Sequence, residues 1–260
     1  MEVIIYPDKE QAAAAAADYV AGQVKRNPYI VLGLATGETP LGLYKNLIEK
    51  NRKGEISFAK ASSFNLDEYC GISADNENSY AYYMRKNFFE HIDIKLENTH
   101  IPDGSSENPL IACEQYERAI KGAGGVELQI LGIGADGHIG FNEPTSSLSS
   151  RTRMKTLTEK TIGDNARFFG GDASAVPWHV LTMGIGTIME SEKIVMLAFG
   201  ESKADAVAGM IEGPITAMLP ASVLQTHQTV KVFLDEAAAS KLKLAGYYKW
   251  VLSRKPIAEW

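Results

Sequence analysis

Between Ala135 and Pro144 the chain reads ADGHIGFNEP, which puts Asp136, His138 and Glu143 within eight residues, threaded by glycines that allow tight turns. A histidine flanked by two carboxylates can have its tautomer fixed and its imidazolium stabilised, as a proton shuttle requires. Two other readings exist: a capped turn with a structural histidine, and a metal site built from the same three side chains. Acid–base chemistry ranks above metal, because the spacing matches neither HExxH nor a Cys/His pattern and no second His-rich segment supplies further ligands. The remaining histidines, His91, His100, His179 and His227, stand singly and are expected to serve packing or surface roles.

Three further clusters follow apolar runs. After ASSFNL (61–66) come Asp67 and Glu68. Paired acids there commonly cap a helix or face solvent; the competing reading is a base in a partly dry cleft, where desolvation raises its pKa. After YIVLGLA (29–35) come Thr36, Gly37, Glu38, Thr39 and Pro40. Glycine, hydroxyls and a helix N-terminus suit an anion, although the same residues could be a plain helix cap, and Glu38 opposes an anion unless its side chain turns outward. After KIVMLAFG (193–200) comes Glu201-Ser202-Lys203. A cation in a first helical turn opposes the helix dipole, which points to an anion nearby or to a local pair with Glu201 or Asp205. No GxSxG elbow, Walker loop or dinucleotide fingerprint occurs, so triad hydrolases, NTPases and dehydrogenases lack support. The combined set fits proton transfer on a small phosphorylated metabolite.

These clusters need a frame that gathers them. Short apolar runs alternate with amphipathic stretches from end to end: VIIY (3–6) before a helix over 8–26, then runs at 29–35, 61–66, near 100, 126–134, 193–200 and 229–235. Helices are expected from about 40, over 79–92, 109–121 and 202–213, and over 237–252. Continuous apolar strands separated by helices predict a mainly parallel, Rossmann-like sheet covered on both faces, an open three-layer αβα sandwich of about seven strands. In such sheets ligands bind beyond the carboxyl ends of the strands, where the four clusters fall. The stretch 145–177 is long and polar, with no clear βα unit, and reads as an insertion or lid. One domain over 1–260 is expected.

The chain has 260 residues, 26 Lys+Arg against 32 Asp+Glu and a net charge of −6. That balance argues against a broad nucleic-acid or membrane-surface binder, which needs an extended basic face. An anionic ligand must therefore be held by a local site. Two cysteines, Cys70 and Cys113, cannot form a disulfide framework. No run approaches the ~18 apolar residues of a spanning helix, and the N-terminus shows no basic stretch leading into an apolar one, so a cytoplasmic location is expected.

LATGETP (34–40), FNLDEYCG (64–71), SYAYYMRKNFFEHIDI (79–94), GIGADGHIGFNEPTSSLSSRTRMKT (132–156), ARFF (166–169) and FGESKADAV (199–207) together resemble the glucosamine-6-phosphate deaminase family. The resemblance runs from about residue 28 to the C-terminal helix. Phosphogluconolactonases of the same superfold share the glycine-rich turn before His138 but not the whole set; a lactonase or another sugar-phosphate isomerase is the alternative. The resemblance implies conversion of glucosamine 6-phosphate and water to fructose 6-phosphate and ammonia in amino-sugar catabolism, with no metal and no organic cofactor. It implies that Asp67 moves a proton between C2 and C1, that His138 opens the sugar ring with Asp136 and Glu143 steering its charge, and that Thr36, Gly37, Glu38, Thr39, Arg167 and Lys203 hold the substrate phosphate. Glu38 stands where the family often has glycine. Some members are hexamers activated by N-acetylglucosamine 6-phosphate, and Ser146, Arg153, Lys155 and Thr156 match that second phosphate site. A homo-oligomer, with a hexamer among its forms, is accordingly expected, and Tyr247 and Tyr248 are both candidates for the tyrosine of the allosteric kind.

Overall fold

A computed structural model describes residues 1–255; residues 256–260, which the single-domain expectation included, lie outside the described residues. Among the described residues ten strands form: β1 (Glu2–Tyr6), β2 (Val31–Leu34), β3 (Ser62–Asn65), β4 (Asp67–Tyr69), β5 (Thr99–His100), β6 (Leu128–Gly132), β7 (Arg153–Thr156), β8 (His179–Thr182), β9 (Lys193–Ala198) and β10 (Val230–Asp235). Seven make one sheet in the order β1-β10-β9-β6-β2-β3-β5, every pair parallel. The helices are α1 (Lys9–Arg26), α2 (Leu41–Arg52), α3 (Tyr80–Asn87), α4 (Pro109–Gly122), α5 (Glu159–Asn165), α6 (Ile185–Met189), α7 (Ala204–Glu212) and α8 (Ala245–Ser253).

The pleat divides the core between the two faces of this sheet. Along β9, Ile194, Met196 and Ala198 pack into one apolar layer while Val195 and Leu197 pack into the other. Burial on both faces explains why these strands read as unbroken apolar runs, and it gives the expected three-layer α/β sandwich. α1 starts where the Asp8 carboxylate accepts the Gln11 N–H at 2.8 Å, and its alanine-rich face lies close against α2, where a Cβ on Gly42 would come 3.0 Å from that of Ala13.

Three strands were not expected. β4, β8 and β7 form a small antiparallel sheet in that order, with Asp67 opposite Thr182 and Thr182 opposite Arg153. Asp67 thus follows β3, as expected, and at the same time opens β4. The stretch 145–177, expected to hold no clear βα unit, contains β7 followed by α5: β7 is short and alternates in burial, which leaves no continuous apolar run to read. The helix expected over 79–92 stops at Asn87 and continues as a single 3-10 turn, Phe89–His91. The helix expected over 237–252 starts only at Ala245, because Ala238, Ala239 and Leu242 enter the core from turns.

Strand order places the site. From β2 the chain builds outward through β3 to β5, then returns to lay β6 on the other side of β2 and proceeds through β9 to β10. The reversal lies between β2 and β6, and a crevice opens beyond the carboxyl ends at such a switch. The loops after these two strands are Thr36–Thr39 and Ile133–Glu143.

Candidate active site

After β6 the backbone folds tightly back on itself, with the Gly134 N–H donating to the His138 carbonyl at 2.9 Å. The imidazole lies flat over Gly134, where a Cβ would sit 2.3 Å from His138 Cε1, so only glycine leaves room for the ring. His138 Nδ1 is 2.7 Å from Asp136 Oδ1 and 3.5 Å from Glu143 Oε2. The ring sits between the two carboxylates in close ionic contact, not on a straight N–H···O line to either. Burial disfavours its charge, but the Asp136 and Glu143 carboxylates outweigh that and raise its pKa to about 9. The His138 cation in turn holds the Asp136 carboxyl well below the usual carboxylate range. Nε2 is the nitrogen left for a substrate.

Asp67 and Glu68 look alike in sequence and are separated by the pleat. Glu68 accepts the backbone N–H groups of Tyr69, Tyr80 and Ala81 at 2.8, 2.9 and 2.9 Å, closing the start of α3 beside its Ser79 cap. The helix-capping reading thus belongs to Glu68. Asp67, 4% exposed, faces the histidine turn, its Oδ2 lying 3.5 Å from where a Gly140 Cβ would be. Burial pushes its pKa up to about 8; the Glu68 charge adds to that and His138 opposes it. A carboxylate this dry is a strong base once ionised, and it faces the loop that carries the cationic imidazole.

The loop after β2 runs over the end of β6, with the Thr39 side chain 3.7 Å from where a Gly132 Cβ would lie. Gly37 has φ +96, which favours glycine, and its carbonyl accepts the Tyr83 hydroxyl from α3 at 2.5 Å. Glu38 does turn outward: its exposed side chain pairs with Arg167 at 3.3 Å. Lys203 caps α7, and burial lowers its pKa, with Asp136 opposing and Arg167 adding to the lowering. Asp205 pairs instead with Lys241 at 2.7 Å, so among the described residues Lys203 forms no ion pair. A half-buried cation without a carboxylate, facing Asp136 and Arg167 electrostatically, suits a phosphate.

The residues expected at a second phosphate site divide. Arg153 and Lys155 share one face of β7; Thr156 lies on the other, its hydroxyl 3.2 Å from His179 Nδ1. The buried Ser146 hydroxyl has no hydrogen-bond partner among the described residues. Tyr248 donates to Glu212 at 3.3 Å, and Tyr247 is exposed. His100 stacks on Phe64 at 4.5 Å, His227 contacts the Ser191 carbonyl at 2.7 Å and His91 that of Lys86 at 2.9 Å, which are packing and surface roles. Asp136, His138 and Glu143 also offer ligand atoms within 4.8 Å of one another, a grouping compatible with a cation as well as with a shared proton. Sequence reasoning missed Gly134, Tyr83 and Thr161. The tyrosines at 80 and 83, one helical turn apart, were the signal for Tyr83; Gly134 and Thr161 had none that reading along the chain could isolate.

A family model described as glucosamine-6-phosphate isomerases/6-phosphogluconolactonase matches residues 7–233. A glucosamine-6-phosphate deaminase of Hahella chejuensis is 53% identical over 253 residues, covering 97% of this chain and 96% of that protein. One of Beutenbergia cavernae is 52% identical over 256 residues, 98% of each. The solved structure of a monomeric glucosamine-6-phosphate deaminase superposes with a TM-score of 0.90 at 44% identity, over 93% of this chain and 100% of that one. The 6-phosphogluconolactonase of Trypanosoma brucei, at 19% identity and TM-score 0.75 over 93% and 98% of the two chains, shares the fold. The chain belongs to the glucosamine-6-phosphate isomerase/6-phosphogluconolactonase family, on the side of its glucosamine-6-phosphate deaminases.

Proposed function

We propose that the chain converts glucosamine 6-phosphate and water to fructose 6-phosphate and ammonia, as one domain in cytoplasmic amino-sugar and N-acetylglucosamine catabolism. The observation that carries this reading is the pairing of a desolvated Asp67 with a cationic His138 at the sheet's switch point, in a chain about half identical to named deaminases. The phosphate rests against the Thr36–Thr39 loop, Arg167 and Lys203, and its binding energy holds the sugar against the two reacting groups. In ring opening the anomeric hydroxyl gives up a proton and the ring oxygen receives one as the C1–O bond breaks. One histidine that holds and returns a proton, between two carboxylates, suffices. Asp67 then removes the C2 proton of the open-chain aldehyde and returns it to C1, while the substrate ammonium gives up one proton and the aldehyde oxygen takes one to become the C1 hydroxyl, leaving a protonated imine at C2. Water adds to that carbon and ammonia leaves, giving the ketone. The substrate's own ammonium brings a positive charge that favours the ionised form of Asp67.

Ammonium release from glucosamine 6-phosphate, measured with and without a chelator, tests this. We expect the same rate in both. Loss of activity restored by a divalent ion would favour the cation reading of Asp136, His138 and Glu143. Glucosamine lacking the phosphate should turn over poorly.

Activation by N-acetylglucosamine 6-phosphate within a homo-oligomer, a hexamer being the form some relatives take, belongs to the same reading. Its support is physical: Arg153, beside Lys155, donates to Asn142 Oδ1 at 2.9 Å, and Asn142 lies in the loop between His138 and Glu143. An anion drawing on Arg153 therefore pulls on the catalytic loop, and the partnerless Ser146 hydroxyl gains an acceptor. Sedimentation, together with titration of the activator against sub-saturating substrate, decides the point: a monomer with an unresponsive hyperbolic curve overturns it. The solved relative described as monomeric makes that a sharp test.

A further inference from the structure

Thr161 sits on α5, in the segment between β7 and β8, eighteen residues from Glu143 and outside the histidine turn. The residue is 8% exposed and its hydroxyl donates to Glu143 Oε1 at 2.5 Å, while the other oxygen, Oε2, faces His138 Nδ1. Glu143 is itself 5% exposed, and Oε2 has no hydrogen-bond donor among the described residues. One hydroxyl is thus the hydrogen bond that sets which way this carboxylate turns. The hydroxyl is set in its turn. Thr158 Oγ1 accepts the Thr161 N–H at 3.2 Å as the cap of α5, and lies 2.9 Å from Thr161 Oγ1 with a proton of its own to give. The result is a directed chain, Thr158 to Thr161 to Glu143, in which each hydroxyl donates onward and each bond strengthens the next.

We propose that Thr161 is a positioning residue for the acid–base centre: it fixes the Glu143 carboxylate in the orientation that faces His138. The same segment carries Arg167, two residues past the end of α5, so the element that reaches the substrate phosphate also aligns the carboxylate behind the histidine. The inference rests on the acid–base reading of the site given above.

The decisive comparison is Thr161→Val, which keeps the shape and removes the hydroxyl, against Thr161→Ser, which keeps the hydroxyl. Ammonium release from glucosamine 6-phosphate should show kcat for the valine variant lower by roughly tenfold or more, the scale of one lost hydrogen bond to a charged group. KM should stay within about twofold, since no phosphate contact is removed. The serine variant should recover most of kcat. A valine variant with unaltered kcat, or one changed only in KM, overturns the proposal. If the valine variant folds poorly, Thr161→Ala supplies the same comparison against serine. A crystal structure of the valine or alanine variant reads the orientation independently of turnover: the Glu143 carboxylate should have rotated so that Oε2 no longer faces His138 Nδ1. A carboxylate unmoved there contradicts the role of Thr161 even if the wild-type enzyme proves to act on another sugar phosphate. Failure of the wild type to release ammonium, with the rotation present, faults only the substrate assignment.

Discussion

Replacing Asp67 by asparagine should cost activity and change stability in a way that depends on pH. Its pKa stands at about 8 against an ordinary 3.8, chiefly through burial. A folded-state pKa raised this way means the folded chain holds a proton that the unfolded chain gives up between pH ~4 and ~8. Over that window the wild type therefore loses stability as pH rises, by about 1.4 kcal/mol per unit. Accumulated over about four units this reaches ~6 kcal/mol as an upper bound near pH 8, and is constant above it. Asparagine does not titrate, so its own desolvation cost of ~1–3 kcal/mol is the same at every pH. The difference in unfolding free energy between variant and wild type should thus climb through pH 5, 6, 7 and 8 and level off beyond, whatever its absolute offset. Urea unfolding at each pH measures it. Ammonium release measured in parallel should fall to background, with substrate affinity within roughly tenfold, about 1.4 kcal/mol. Parallel stability curves across this range, or activity near that of the wild type, would refute the assignment of Asp67 as a desolvated base.

Three other outcomes are expected. The profile of kcat/KM against pH should be bell-shaped, rising near pH 8 as Asp67 ionises and falling near pH 9 as His138 loses its proton; because the groups interact, the limbs belong to the pair, and a flat profile from pH 6 to 10 would contradict it. Gly134→Ala places a methyl 2.3 Å from His138 Cε1, which must push the ring off its backbone platform; kcat should collapse while overpacking costs about 1–3 kcal/mol in unfolding, and a variant as active as wild type would show that the ring need not lie there. Glu38→Gln releases Arg167 from an exposed ion pair; because such pairs are weak, KM should fall by less than about twofold, and a marked rise in KM would mean that Glu38 itself positions Arg167.

The large sheet was legible because a parallel strand buried on both faces must be apolar without interruption, as LQILG and KIVMLA are. The small sheet was not. β4, β7 and β8 are three or four residues each, and the alternation of Arg153, Met154 and Lys155 reads as polar loop. At the site, His138 and its two acids could be read because they are local in sequence, and Lys203 because its charge opposes its own helix dipole. The distinct roles of Asp67 and Glu68 could not be read, because they follow from which side of a pleated strand each residue faces. Burial of Asp67 depends on β8 and on the histidine turn, both far along the chain. Thr161 reaches Glu143 only through the path the chain takes around β7.

The most direct test of the whole account is product stoichiometry with glucosamine 6-phosphate as sole substrate, comparing the wild type with Asp67→Asn. The wild type should give ammonium and fructose 6-phosphate in a one-to-one ratio, and the variant neither. Hydrolysis of 6-phosphogluconolactone with no ammonium from glucosamine 6-phosphate would contradict it.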